Sequence, residues 1–160
     1  MPIESSTASM TLVGEIMSED VETISLLSNA QDSAIKMSDK NVSSLVVLDE
    51  NGRAIGIMTE RDLVRHVCTK DVASNSVKIE NVISSPLKTV SPETPIEEVA
   101  DVMVRDKLRH IVVVGKNQEP VGIISATDIV AYVRENDKTL GKVSSDVIEA
   151  LEREGRHTGI

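Results

Sequence analysis

Two short runs of the chain combine the residue types that can hold a sugar or a phosphate. Gly56…Thr59…Asp62 and Gly122…Ser125…Asp128 share one pattern: glycine, two apolar residues, a hydroxyl residue, two more residues and an aspartate. Each hydroxyl stands where an apolar, β-branched run hands over to a helical one. A helix start offers unpaired N–H groups and partial positive charge, which suits a phosphate. An aspartate one turn in can present its carboxylate to the adjacent 2′- and 3′-hydroxyls of a ribose. The strand ends beside them, Ile57-Met58 and Ile123-Ile124, can flank a purine. A plainer reading uses the same residues. Thr-x-x-Asp and Ser-x-x-Asp are helix-capping sequences, aspartate in the first turn suits the helix dipole, and the glycine can serve close packing alone. For an isolated instance capping is the simpler account; recurrence of the whole pattern favours a site.

Other reactive types are scattered. His66, His110, His157 and Cys68 show no metal-ligand spacing, so no metal site is expected. Glu97 and Glu98 are adjacent and point to different helix sectors, unlike a catalytic pair, and no nucleophile stands with a base; no catalytic residue is expected. Cys68 reads as a small buried hydrophobe on a helix. His66 reads as a surface or interface residue rather than a ligand, and Arg134-Glu135-Asn136-Asp137-Lys138 as a solvated helix end.

The elements that position the two runs are themselves duplicated. The offset that lays Asp62 on Asp128 also lays Ile16 to Val64 on Val82 to Val130 without a gap. Thr23-Ile24-Ser25 then meets Thr89-Val90-Ser91, Ala34 and Met37 meet Ala100 and Met103, and Val46-Val47 meets Val112-Val113. Each copy reads as β-α-β-β-α. A short strand, Val21 to Ile24 or Leu87 to Val90, leads to a helix start. In the second copy Thr94-Pro95-Ile96-Glu97 predicts Thr94 as N-cap, Pro95 at the first helical position and Glu97 closing a capping box; Ser28-Asn29-Ala30-Gln31 does the same in the first. β-branched runs follow at Leu45 to Leu48 and Ile111 to Val114. Asp49-Glu50-Asn51-Gly52 is a hairpin turn, and Gly115 to Pro120 serves that purpose less tightly. The third strand, Ala54 to Met58 or Val121 to Ile124, runs into a helix beginning at Thr59 or Ser125. The expected organisation is a flexible tail over 1–12, repeats over 13–70 and 79–136, a linker over 71–78, and a C-terminal segment over 137–160 that is partly helical. Val143, Val147, Ile148 and Leu151 make a stripe there that packs on its own domain or a symmetry mate.

Composition limits what such a chain can do. Of 160 residues 40% are hydrophobic but only 1% aromatic, with one Tyr and no Phe or Trp, so the core must be aliphatic and offers no platform for stacking nucleic-acid bases. The formal net charge of −9 repels nucleic acid and anionic membranes. No apolar run is long enough for a membrane span, the start shows no secretory signal, and a single cysteine fits a reducing compartment; a cytoplasmic protein is expected.

The stretch from Val13 to Glu135 resembles a tandem pair of CBS domains, a family named after cystathionine β-synthase. The likeness is carried by Ile16-Met17-Ser18, by Lys107-Leu108-Arg109-His110-Ile111-Val112-Val113 and by the paired Gly-x-x-(Thr/Ser)-x-x-Asp endings. It implies an α+β fold of two tandem β-α-β-β-α CBS repeats packed with pseudo-two-fold symmetry, with two clefts for adenosine-bearing ligands. Family ligands include AMP, ADP, ATP and S-adenosylmethionine, and no obligatory cofactor is implied. Such modules regulate something else without doing chemistry and commonly pair into a disc-shaped dimer. Carried over by position, Thr59 and Asp62 hold a ribose beside Ile57, with Arg109 and His110 reaching the phosphate and the segment from Pro86 to Lys88 assisting. Ser125 and Asp128, beside Ile123, hold the other ribose. The positions matching the basic Arg109 and His110 are there Ser43 and Ser44, which Arg61 partly offsets, and the opposing strand entry carries the acidic Asp20 and Glu22. The Asp62 cleft is therefore expected to bind a phosphorylated ligand more tightly than the Asp128 cleft. Relatives often carry proline where this chain has Val46 and Val112, so its base-contacting edge is expected to differ. The expectation is a homodimer that signals to a separate, unidentified protein. The alternatives are a structural homodimerisation module with degenerate clefts and, more weakly, a nucleotide hydrolase or a DNA-binding protein.

Overall fold

A computed structural model describes residues 10–83, 87–136 and 145–157, with side chains described as far as Arg153. In chain order the elements are α1 (Val13–Ile16), β1 (Thr23–Ser25), α2 (Ala30–Lys40), β2 (Ser44–Leu48), β3 (Ala54–Thr59) and α3 (Glu60–Leu63). They continue with β4 (Thr89–Val90), α4 (Ile96–Asp106), β5 (His110–Val114), β6 (Pro120–Ser125), α5 (Ala126–Glu135) and α6 (Ser145–His157). Two three-stranded sheets result, ordered β1-β2-β3 and β4-β5-β6. The chain gathers into two compact units that cut across the repeats. The first-repeat unit holds residues 19–83, 87–89 and 114–122; the second-repeat unit holds 10–18, 90–113, 123–136 and 145–157.

In the first-repeat unit β1 pairs with β2 in parallel, Ile24 opposite Val47, and β2 pairs with β3 antiparallel, Val46 opposite Ile57. Val46 donates its N–H to the Glu22 carbonyl at 2.9 Å, a bond that proline at this position could not make. The Asp49 carboxylate ties the hairpin by accepting from the Asn51 and Arg53 N–H groups at 2.8 and 2.9 Å, while Gly52 takes φ 77°. The Arg53 N–H, first among the donors, holds the Asp49 carboxyl below the usual carboxylate range. The core is aliphatic, built from Ile24, Ala30, Met37, Leu45, Val47, Met58, Val67, Ile79 and Val82. The start of α2 lies one residue later than the sequence suggests: Asn29 is the cap, with the Asp32 N–H donating to its side chain at 2.9 Å and its own N–H to Asp32 at 3.2 Å. The stretch 71–78, expected as a linker, is tied down at its end. Ala30 donates to the Val77 carbonyl at 2.8 Å, and Lys78 forms a β-bridge with Asn29.

After α3 the helix widens into a π turn over Val64–Cys68. Val67 takes the inward position at 8% exposure, and Cys68, the next residue, is exposed rather than buried as its sequence context suggested.

The second-repeat unit corrects two expectations. The expected capping box at Thr94 does not form: the cap of α4 is Pro95, which makes no side-chain bond. Its extended backbone forms a β-bridge with Leu12, and Ile96 donates its N–H to the Thr11 carbonyl at 3.1 Å. The same contacts correct the tail, because Thr11 and Leu12 are held in the fold. Thr11 Oγ1 also lies 2.9 Å from the Tyr132 hydroxyl. Residues 1–9 of the expected tail lie outside the described residues. The expected C-terminal helix is α6; it packs on α4 and α5 with Leu151 3% exposed, whereas Val143 of the stripe lies outside the described residues.

The corresponding helices α2 and α4 both end in the left-handed region, at Asn41 (φ 53°) and Lys107 (φ 54°). Asparagine tolerates that conformation; lysine does so at a cost that glycine lacks. Lys107→Gly is therefore expected to raise the unfolding free energy by about 1 kcal/mol. A urea midpoint at or below that of the unaltered chain would contradict it.

Candidate functional site

The two hydroxyl–aspartate caps, Thr59–Asp62 and Ser125–Asp128, sit at corresponding junctions, each inside its own unit. β3 ends at Thr59, which caps α3, and β6 ends at Ser125, which caps α5. In the first junction Thr59 donates to Asp62 Oδ2 twice, from its N–H at 2.9 Å and from Oγ1 at 3.0 Å, and Asp62 N–H donates back to Oγ1 at 3.2 Å. In the second, Ser125 N–H donates to Asp128 Oδ2 at 2.9 Å and Asp128 N–H returns a bond to Ser125 Oγ at 3.0 Å. The capping role open from sequence is thus real at both places.

The caps leave different residual chemistry. Each aspartate keeps Oδ1 without a hydrogen bond among the described residues. Asp62 Oδ2 already accepts two bonds, and the Thr59 hydroxyl's one donor hydrogen is used in the second of them. Asp128 Oδ2 accepts one, and the Ser125 proton remains available. The second junction therefore has more unused hydrogen-bonding capacity. Neither aspartate offers both oxygens freely, as the sequence pattern alone suggested, because one oxygen of each is drawn into its own cap.

The neighbours of each cap follow from strand alternation. Met58 and Ile124 are fully buried in the core, so neither can flank a ligand; Ile57 and Ile123, on the opposite face, are half-buried. Ile123 exchanges two 2.9 Å backbone bonds with Ser18, which joins the leading Ile16-Met17-Ser18 segment to β6. Gly56 is present for packing: a methyl group there would stand 2.9 Å from Ile83 Cδ1 and 3.2 Å from its Cβ. Ser43 accepts the Glu60 N–H at 3.0 Å, and Arg109 accepts the Ala126 N–H at 2.9 Å, so the residue before each middle strand holds the start of the last helix of its own repeat. Arg61 and Lys88 are exposed, and Pro86 lies outside the described residues.

His110 is half-buried in the second-repeat unit, where burial first, and Arg109 second, push its pKa down, while Asp128 opposes them. The unfolded histidine takes a proton near pH 6.5, and the folded one resists it. Stability is therefore intact above that pH and falls as the pH drops below it, toward the lowered value. His110→Gln is expected to shrink the loss of melting temperature between pH 7.5 and pH 5.5; an unchanged difference would contradict this.

Arg109 takes a direction that sequence reasoning missed. It lines a cleft of about 310 Å³ with Ala126, Thr127, Val130 and Arg134 of α5 and Leu151 and Glu152 of α6. Its Nη1 is buried and has no hydrogen-bond partner among the described residues. Arg134, read from sequence as part of a solvated helix end, donates to the Glu152 carboxylate. The apolar stripe of α6 was the available signal, because seating Leu151 brings Glu152 to α5. Among the described residues no cluster of three potential metal ligands occurs, and no helix is long and apolar enough to cross a membrane.

Comparison with known proteins bears on both repeats. The family model described as CBS domain matches residues 13–69 and 79–135. The uncharacterized protein YlbB of Bacillus subtilis is 33% identical over 147 residues, which is 91% of this chain and 97% of that protein. The CBS domain pair of protein MJ0100, solved with 5′-methylthioadenosine and S-adenosyl-L-methionine, is similar at TM-score 0.67 and 26% identity, covering 79% of this chain and 98% of that one. The CBS domain protein PAE2072 from Pyrobaculum aerophilum, solved with AMP, shares the fold at TM-score 0.68 and 21% identity over 79% of this chain and 100% of its own. With both repeats matched and the tandem architecture shared, the chain belongs to the CBS-domain family.

Proposed function

We propose that the chain is a non-catalytic regulatory module that binds an adenosine-bearing ligand, such as AMP, ADP, ATP or S-adenosylmethionine. The observation that carries this reading is that Oδ1 of both Asp62 and Asp128 is without a hydrogen bond among the described residues, each beside a helix start and a half-buried isoleucine. One carboxylate oxygen can accept a ribose hydroxyl while the other keeps the cap closed. The MJ0100 pair, solved with two adenosyl compounds, supports this class of ligand. Occupancy stabilises the liganded arrangement by mass action, and a separate protein reads the shift in population. The module works as a homodimer in the cytoplasm, a location its acidic balance suits.

Arg109 and His110 supply positive charge or donors to a ligand phosphate. The family resemblance pairs them with Thr59 and Asp62 beside Ile57, leaving Ser125, Asp128 and Ile123 with Arg61; Pro86 and Lys88 assist the first set. The field of Asp128 on His110 favours the other pairing. Coupling between Arg109→Gln and Asp62→Asn, or between Arg109→Gln and Asp128→Asn, in AMP affinity separates the two assignments.

The testing experiment is calorimetric titration of adenosine, AMP, ATP and S-adenosylmethionine into the unaltered chain, Asp62→Asn and Asp128→Asn. Asparagine can still accept the cap bond but carries no charge, so it keeps the helix start while weakening the sugar contact. Binding of at least one compound, reduced about tenfold or more by one of the variants at near-unchanged melting temperature, is expected. Absence of binding by any of the four would overturn the reading. It would favour a structural homodimerisation module with degenerate clefts, which the closed Thr59–Asp62 cap specifically supports.

A further inference from the structure

Two helices of the first-repeat unit turn a patterned surface outward. On α2, Asp32, Ile35 and Asp39 fall at i, i+3 and i+7, and all three are exposed, Ile35 at 51%. On α3 and the π turn that continues it, Arg61, Val64 and Arg65 fall at i, i+3 and i+4, again all exposed, Val64 at 52%. The two helices are packed neighbours. Each therefore presents an apolar residue between like charges, acidic on one helix and basic on the other. Asp39, Arg61 and Arg65 make no ion pair among the described residues, so the stripes do not neutralise each other within one chain.

The second repeat lacks this surface. Its matching positions are Glu98, Asp101 and Arg105 on α4 and Thr127, Val130 and Ala131 on α5. A carboxylate replaces Ile35 there, and the basic pair is gone. α6 packs on both helices, and its Leu151 shares a cleft with Val130. The family model, which matches residues 13–69 and 79–135, does not extend to α6. Ala100 on the covered face is fully buried, whereas its counterpart Ala34 is half-buried.

We infer that a second copy of this chain docks on the first-repeat face alone, by a two-fold contact that lays α2 of each copy against α3 of the other. Charge complementarity selects that occupant. A surface with an acidic and a basic stripe side by side meets its own opposite when a two-fold axis runs between the stripes. Ile35 and Val64 make the apolar centre, and Asp32 and Asp39 of one copy stand against Arg61 and Arg65 of the other. The inference rests on the homodimer proposed above and deepens it: pairing uses one repeat, because α6 occupies the matching face of the second.

The test is sedimentation equilibrium of the full chain over a range of concentrations, with Asp39→Lys, Arg65→Glu, an equimolar mixture of the two, and Ala131→Glu. Each of the first two sets like charges opposite each other twice in a symmetric pair, and is expected to weaken self-association about tenfold or more. Mixing them is expected to restore it, because Lys then meets Glu at one contact and Asp meets Arg at the other. Repair within a single chain cannot produce that rescue. Ala131→Glu, at the second-repeat position matching Arg65, is expected to leave association unchanged. The three substituted residues are exposed, so the variants are expected to fold, and circular dichroism checks this. A dimer indifferent to both charge reversals, or two variants that stay monomeric when mixed, overturns the inference while leaving the homodimer standing. Dissociation by Ala131→Glu alone also overturns it, by moving the contact to the second repeat. A monomeric unaltered chain overturns both the inference and the homodimer, and leaves the face to a different protein.

Discussion

Gly56→Val is expected to destabilise the chain by about 3 kcal/mol, seen as a lower urea midpoint with little change in slope. Gly56 is buried in β3, opposite Val47, and its Cα faces Ile83. A first carbon at 2.9 Å from Ile83 Cδ1 is relieved by rotating that side-chain end, but the 3.2 Å approach to Ile83 Cβ requires backbone movement. Valine adds two further carbons to a strand whose neighbours Met58 and Val47 are fully buried. Ile83→Ala in the same chain is expected to recover part of the loss, because it removes the atom at closest approach. Equal stability of Gly56→Val and the unaltered chain would mean that Ile83 repacks freely.

The second large effect concerns α6. Leu151→Ala is expected to loosen the helix from its seat, at a cost of about 3 kcal/mol for losing a buried leucine. Leu151 is 3% exposed and shares its cleft with Val130. The loss is bounded by the docking free energy of α6, since a helix that has left cannot be destabilised further. Hydrogen exchange should then show residues 145–157 exchanging like free chain while β5 and β6 keep most of their protection. Retained protection in α6 would show that the rest of its stripe suffices to seat it.

The legible part of this fold was the part that local chemistry decides. Thr59 and Ser125 cap helices wherever they are placed, Asp49 and Gly52 close a hairpin with their own neighbours, and the β-branched runs at 45–48 and 111–114 suit little but a buried strand. The start of α4 was misread because its partner is remote in sequence. Thr94 and Pro95 look like a self-contained helix start, but Thr11 and Leu12 supply the bonds instead. Cys68 was misread because a single π turn shifts which residue faces inward. At the site, the residue types and their spacing were visible, but the division of each aspartate between its cap and a free oxygen was not. That division depends on rotamers of Thr59 and Ser125 that a one-letter pattern does not carry. The Arg134–Glu152 pair was hidden for the same reason as Thr11, since it joins elements that only tertiary packing brings together.

The interleaving of the two units sets an order on how the polypeptide can mature at the ribosome. Residues 10–18 precede both repeats' sheets in the chain, yet the unit they belong to also needs residues 90–113 and 123–136. The first-repeat unit in turn includes residues 114–122, where Gln118 accepts a bond from Ala54. A nascent chain stopped after the first repeat therefore has an opening segment with no β6 to join and a hairpin with an unanswered donor. Neither unit can be finished early: synthesis must pass Gly122 before the first-repeat unit has all its residues, and must pass α6 before the second does.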